Sequence, residues 1–123
     1  MIMSKFDLEE RTAKFGEEII RFCQRLPKNE ITKPLVSQLI RSGTSAGANY
    51  CEADNAESGT DFRHKIGICK KETRESRHFL RMVLVAVPEV QEEANKLQKE
   101  AQELNLIFNA IYRKVGAKSG GRN

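Results

Sequence analysis

Five cations recur at helical spacing between residues 60 and 81: Arg63, Lys70, Arg74, Arg77 and Arg81, separated by seven, four, three and four residues. Those intervals place them on one face of a helix, and Lys71 and His78 widen it. At a rise of about 1.5 Å per residue the row is about 27 Å long. A line of Lys and Arg of that length can follow a phosphate backbone, each neutralised phosphate adding about one unit to the salt dependence of binding. The competing use of such a row is a solvated face that pairs with the acidic outer faces of the first and last helices, within the chain or between copies. The excess is local: residues 60–81 carry seven Lys/Arg against three Asp/Glu, residues 88–112 carry a net −3, and the tail 113–123 carries +4 within a chain total of +4. No base-reading motif accompanies the cations, and aromatics for stacking are few, with six Phe, two Tyr and no Trp.

A second group mixes both signs: Arg41, Asn49, Glu52, Asp61, Lys65, Glu72 and Glu75. Glu72 and Glu75 stand three residues apart, so a helix turns both the same way. The expectation is an internal, structural set in which Arg41 pairs bidentately with a carboxylate and Asn49 satisfies a neighbouring backbone group. Such pairs set helix register more than they add stability. Two sharper chemistries compete with it. Glu75-x-x-His78 has the spacing of a di-iron ligand pair, but a di-iron bundle needs that pair on two helices. The other histidine, His64, has no glutamate three residues before it. Glu52, Glu72 and Glu75 would serve a magnesium-dependent nuclease only if they converged on an open pocket. Neither histidine sits in a nucleophile motif, and no G-x-x-x-x-G-K-[ST] phosphate loop exists. Cys23, Cys51 and Cys69 lack C-x-x-C spacing and are expected to be reduced, buried small hydrophobes. No catalytic residue, metal or cofactor is assigned, and a non-enzymatic protein is expected.

Four rods must hold these groups. The first runs from about Leu8 to Leu26, with Asp7 and Glu10 in capping-box position, an inner stripe of Leu8, Thr12, Phe15, Ile19, Phe22 and Leu26, and Pro27 as its stop. The second starts near Pro34 and reaches about Asn55. Ser58 or Thr60 caps the third, which runs from about Asp61 to Ala86 over Phe62, Ile66, Cys69, Thr73, Ser76, Leu80 and Val83. Pro88 opens the fourth, whose stripe Val90, Ala94, Leu97, Ala101, Leu104, Phe108, Ile111 and Val115 ends at Gly116. Short connections make the neighbours antiparallel, so the fold class is all-α, an up-down-up-down four-helix bundle. The 123 residues suit a single domain with an ordered core at about 6–115 and a loose basic tail at 116–123. No apolar run spans a membrane and the N-terminus has no signal-peptide core, so a cytoplasmic protein is expected.

The second rod is odd. Arg41-Ser-Gly-Thr-Ser-Ala-Gly-Ala-Asn-Tyr50 follows a helical pattern with poor helix formers, each glycine costing about 1 kcal/mol against alanine. Only packing can hold such a segment helical. Ser42, Gly43, Gly47 and Tyr50 are therefore read, with Arg41, Asn49, Glu52, Asp61, Glu72 and Glu75, as a close-contact and assembly set. The G-x-x-x-G spacing of Gly43 and Gly47 marks close helix approach.

These residues also carry a resemblance. The string Gln38-Leu-Ile-Arg-Ser-Gly-Thr-Ser-Ala-Gly-Ala-Asn-Tyr-Cys-Glu-Ala53, followed by Asp61-Phe-Arg-His-Lys-Ile66 and Lys71-Glu-Thr-Arg-Glu75, resembles the bacterial four-helix-bundle proteins encoded by intervening sequences in 23S ribosomal RNA genes. It is also similar to the accessory proteins of diversity-generating retroelements. That second likeness implies a homopentamer that binds nucleic acid and a reverse transcriptase. The expected function is a homo-oligomeric binder of RNA or DNA acting through Arg63, Lys70, Lys71, Arg74, Arg77 and Arg81. A purely structural or protein-interaction oligomer is the alternative.

Overall fold

The computed structural model describes residues 5–120, with side chains over 8–116. Four helices occupy that span: α1 (Lys5–Gln24), α2 (Thr32–Asp54), α3 (Gly59–Ala86) and α4 (Gln91–Gly120), with a 3₁₀ turn at Pro88–Val90 before α4. There is no strand among the described residues. Consecutive helices pack on one another and α4 closes back onto α1, which makes an all-α four-helix bundle.

The boundaries follow local hydrogen bonding, and several differ from expectation. Asp7 lies inside α1, so it does not mark the helix start. The last turn of α1 tightens through Arg25 N–H to Phe22 O and Leu26 N–H to Cys23 O, ending the helix before Leu26 reaches Pro27. The start of α2 is held by Asn29, whose Oδ1 accepts from the N–H groups of Ile31 (2.9 Å) and Thr32 (3.0 Å). Thr32 is buried and donates to Pro27 O at 2.6 Å, tying the α1–α2 turn shut. Ser58 caps α3 by accepting from Asp61 N–H at 3.0 Å. The expected stop at Gly116 is not used: α4 passes through it to Gly120. The remainder of the expected tail, 121–123, lies outside the described residues.

One contiguous core joins the four stripes. Phe15, Phe22 and Phe108 are its largest fully buried side chains, with Ile19, Leu39, Ile66, Leu80 and Leu104 around them. Truncating any one of these phenylalanines to alanine would cost about 3–5 kcal/mol. Tyr50 of α2 reaches across to Phe108 of α4, ring centroids 6.0 Å apart. Burial and nearby carboxylates push the Tyr50 phenol pKa above its ordinary value.

The small-residue segment lets α2 come close to two helices at once. Toward α1, a Cβ on Gly43 would meet Ile19 Cγ1 at 2.9 Å, and one on Gly47 would meet Thr12 Oγ1 at 3.3 Å. Gly16 answers from α1, 3.4 Å from the Gly43 carbonyl on the same measure. Toward α3, Ser76 Oγ donates to Ser42 Oγ at 3.0 Å, and Cys69 Sγ donates to the Ala46 carbonyl at 3.4 Å. Thin side chains on both flanks replace the knobs that would otherwise separate the axes.

Candidate nucleic-acid interface

The cations of α3 divide into two sets. Arg63 and Lys70 turn onto Tyr112 of α4: the Arg63 guanidinium carbon lies 3.7 Å from the ring centroid and Lys70 Nζ 4.4 Å. Arg63 Nε also donates to the Tyr112 carbonyl at 3.2 Å. Gly67, between the two cations, makes room for the ring, because a Cβ there would lie 3.1 Å from Tyr112 Cε1. Gly116 makes room for the guanidinium in the same way, at 2.5 Å from Arg63 Nη2. A helix-interior glycine three and four residues from two cations was the signal for this clamp, and sequence reasoning did not use it.

Lys71, Arg74, Arg77 and Arg81 form the second set. All four are exposed, and none pairs with a carboxylate among the described residues. The reason lies in α4. Three of its four glutamates, Glu93, Glu100 and Glu103, turn toward α1. There Arg25 pairs with Glu93, and Arg11 donates to Glu100 (2.7 Å) and Glu103 (2.8 Å). Hydrogen bonding to Glu100, partly offset by burial and reinforced by Glu103, raises the Arg11 pKa further. The edge of α4 facing α3 carries neutral amides instead: Gln98, Asn105 and Asn109 line the cleft between the helices. Five residues separate Glu93 from Gln98, which is about 140° around the helix.

The cleft comprises two neighbouring pockets. The larger, ≈ 680 Å³, runs past Lys70, Lys71, Arg74, Phe79, Asn105 and Asn109. The smaller, ≈ 360 Å³, continues past Arg77, Arg81 and Gln98, and Arg74 and His78 belong to both. Asn105 Nδ2 donates to the Lys70 carbonyl (2.7 Å) and Thr73 Oγ1 (3.2 Å), which fixes the α4 side of the cleft against α3.

The mixed-sign set is less internal than its spacing suggests. Only Glu72 is buried; Arg41, Glu52 and Asp61 are exposed. Arg41 Nη1 donates to both Glu72 oxygens at 3.1 and 3.2 Å, Nη2 pairs with Glu75, and Ser45 Oγ donates to Glu72 Oε2 at 3.2 Å. Partial burial lowers the Arg41 pKa, but the two carboxylates outweigh it and leave it raised. Glu52 binds Lys65 at 2.6 Å, and that hydrogen bond raises the Lys65 pKa. Asn49 satisfies a neighbouring backbone group, as expected: its Nδ2 donates to the Ser45 carbonyl, one turn back on its own helix, at 2.9 Å. Glu52, Glu72 and Glu75 are each held by a cation, and no group of three or more His, Cys, Asp or Glu among the described residues could hold a metal ion. Cys23 and Cys69 are buried, but Cys51 is exposed, contrary to expectation, because it faces away from the core on α2.

The architecture is that of an all-α four-helix bundle with a cation-lined cleft between α3 and α4. The chain belongs to the 23S rRNA-intervening sequence protein family, whose model matches residues 4–110. It is similar to a solved structure from Bacteroides thetaiotaomicron, a protein of unknown function from the S23 ribosomal protein family. The two share 26% identity over 85% of this chain and 97% of that one, with a TM-score of 0.75. No match is found among curated proteins. No helix of the described residues is long and apolar enough to cross a membrane.

Proposed function

We propose that this protein is a non-enzymatic, homo-oligomeric binder of RNA or DNA that acts through the α3 face. It would work in the cytoplasm as an accessory to a ribosomal RNA intervening sequence or to a reverse transcriptase. One observation carries the reading: Lys71, Arg74, Arg77 and Arg81 are exposed along one helix with no carboxylate partner among the described residues. Cations held this closely repel one another, and a polyanion relieves that repulsion while releasing its own counterions. The family's name ties its members to 23S ribosomal RNA, which makes structured ribosomal RNA the first target to try.

The test is fluorescence anisotropy with a labelled RNA hairpin and a duplex DNA at about 50 and about 200 mM salt. Binding is expected at the lower concentration and should fall steeply at the higher. The double variant Arg74→Glu, Arg77→Glu should weaken it while the helical circular dichroism stays unchanged. Absence of binding at about 50 mM salt rejects the reading.

A second feature supports self-assembly. A shallow groove of ≈ 340 Å³ lies between α1 and α2, lined by Ala13, Gly16, Ile20, Gly47, Ala48 and Cys51. Its apolar character favours contact between copies, and the resemblance to retroelement accessory proteins implies five of them. This groove also favours the alternative, a structural or protein-interaction oligomer that binds no nucleic acid. The anisotropy measurement separates the two.

A further inference from the structure

We infer that the α3–α4 cleft takes a single strand of nucleic acid, its phosphates on the cationic rim and its bases turned toward the amide-lined floor. The inference rests on the nucleic-acid reading above and says which form of the polymer the site accepts.

Three observations carry it. The first is shape. The cations line a cleft between two packed helices, whose axes sit roughly 8–10 Å apart. Two neighbouring pockets, ≈ 680 and ≈ 360 Å³, make it up and share Arg74 and His78 in their linings. A duplex would bridge the rim, leaving the floor unused, whereas a single strand can enter.

The second is the division of charge between the walls. The α3 wall presents Lys71, Arg74, Arg77 and Arg81 at successive turns, about 4.5–6 Å apart along the axis, a periodicity that a strand's phosphates can track. The α4 lining, floor included, is neutral: Gln98, Asn105 and Asn109. Glu75, the one carboxylate lining the cleft, is taken by Arg41.

The third is the floor itself. Phe79 is half-buried there and meets the His78 ring edge-on, centroids 5.2 Å apart, which supplies an aromatic surface beside the cations. Asn105 spends its Nδ2 on α3, and its Oδ1 accepts no hydrogen bond among the described residues. The Asn109 side chain makes no hydrogen bond to the described residues, so its amide can both donate and accept. Amides beside an aromatic ring can address the exposed edges and faces of unpaired bases, and a paired duplex hides those edges. Phosphate contacts alone would not call for such a floor.

The experiment compares labelled 12-nucleotide RNA and DNA single strands of one sequence with the corresponding 12-base-pair duplexes, by anisotropy at low salt. At least one single strand should bind roughly tenfold more tightly than its duplex, the scale of one or two base contacts. Asn109→Leu, which fills the floor without touching a cation, should remove most of that advantage and leave duplex affinity and melting temperature unchanged. Arg77→Glu should weaken all of the ligands. Duplexes bound as tightly as single strands, or an Asn109→Leu variant that keeps the full preference, overturns the inference while sparing the broader reading. Failure of every ligand to bind overturns both.

Discussion

Glu72 is a buried carboxylate whose partners all come from α2: Arg41 reaches both of its oxygens and Ser45 adds a hydroxyl. Arg41 is itself half-exposed, so the pair has value chiefly because Glu72 cannot reach water unaided. Arg41→Ala should therefore destabilise the fold by about 1–3 kcal/mol, the cost of stranding a buried acceptor. Urea denaturation measures this; an unchanged midpoint would mean that water replaces the guanidinium. The thiols offer a second check at this scale. Burial pushes Cys23 up to about 11 and Cys69 to about 12, while Cys51 is exposed. At about pH 8 a thiol reagent should label Cys51 alone in the native protein and all three cysteines after denaturation, since the thiolate is the reactive form. The same shifts set a stability window. Above pH 9.0 the unfolded thiols ionise first, so folding stability should decline from there to about 12. Flat stability across that range would contradict the burial.

At the scale of helices, α2 is defined by what it lacks. A methyl group at Gly43 would meet the branched, fully buried Ile19 side chain at 2.9 Å, so either that side chain or one of the helices must shift. Gly43→Ala should cost about 1–3 kcal/mol despite the better helix propensity of alanine. Gly59, at the first turn of α3, has nothing within 4 Å of such a methyl group. Gly59→Ala should be neutral or stabilise by up to about 1 kcal/mol, through the unfolded chain. The melting temperature should fall for Gly43→Ala and hold or rise for Gly59→Ala; a Gly43→Ala variant as stable as its parent would refute the account of α2 as a close-packed wedge. α3 and α4 show the complementary strategy. Glycines at 67 and 116 admit Tyr112 and Arg63 to each other, and α4 sorts its carboxylates and amides onto different edges.

For the molecule as a whole, the two candidate surfaces lie on different helix pairs. The apolar groove belongs to α1 and α2, the cationic cleft to α3 and α4. Copies that met through the first would leave the second open to a polyanion. Ile20→Arg places a charge in the groove at a residue already 38% exposed, so the monomer fold should survive it. Light scattering behind size-exclusion chromatography should report a smaller assembly for this variant than for the parent. A parent of monomer mass would remove self-assembly from the proposal, and an unaltered variant would move the interface elsewhere.

Hydrophobic period, small residues and prolines were enough to write the bundle down from the chain alone. The inner stripes are buried along their centres, from Phe15 and Ile19 to Leu104 and Phe108, and half-buried at Phe62, Val90, Ile111 and Val115, because the 3.6-residue period leaves little choice of face. The wedge at Gly43 and Gly47 was legible for a similar reason: such a run has no helical future without close neighbours. Helix ends were less so, since the Asn29 cap and the continuation of α4 through Gly116 depend on hydrogen bonds that compete locally. Charge partnership was legible for Arg41, whose expected bidentate carboxylate is Glu72, but not for the basic row. Spacing put Arg63 and Lys70 in the same row as Arg74 and Arg77. Only the rotation of α4 about its axis gave the first two a tyrosine and α1 the carboxylates, leaving the rest of the row unpaired. Pairing is a property of distances between elements, and a sequence specifies those only through the packing that it brings about.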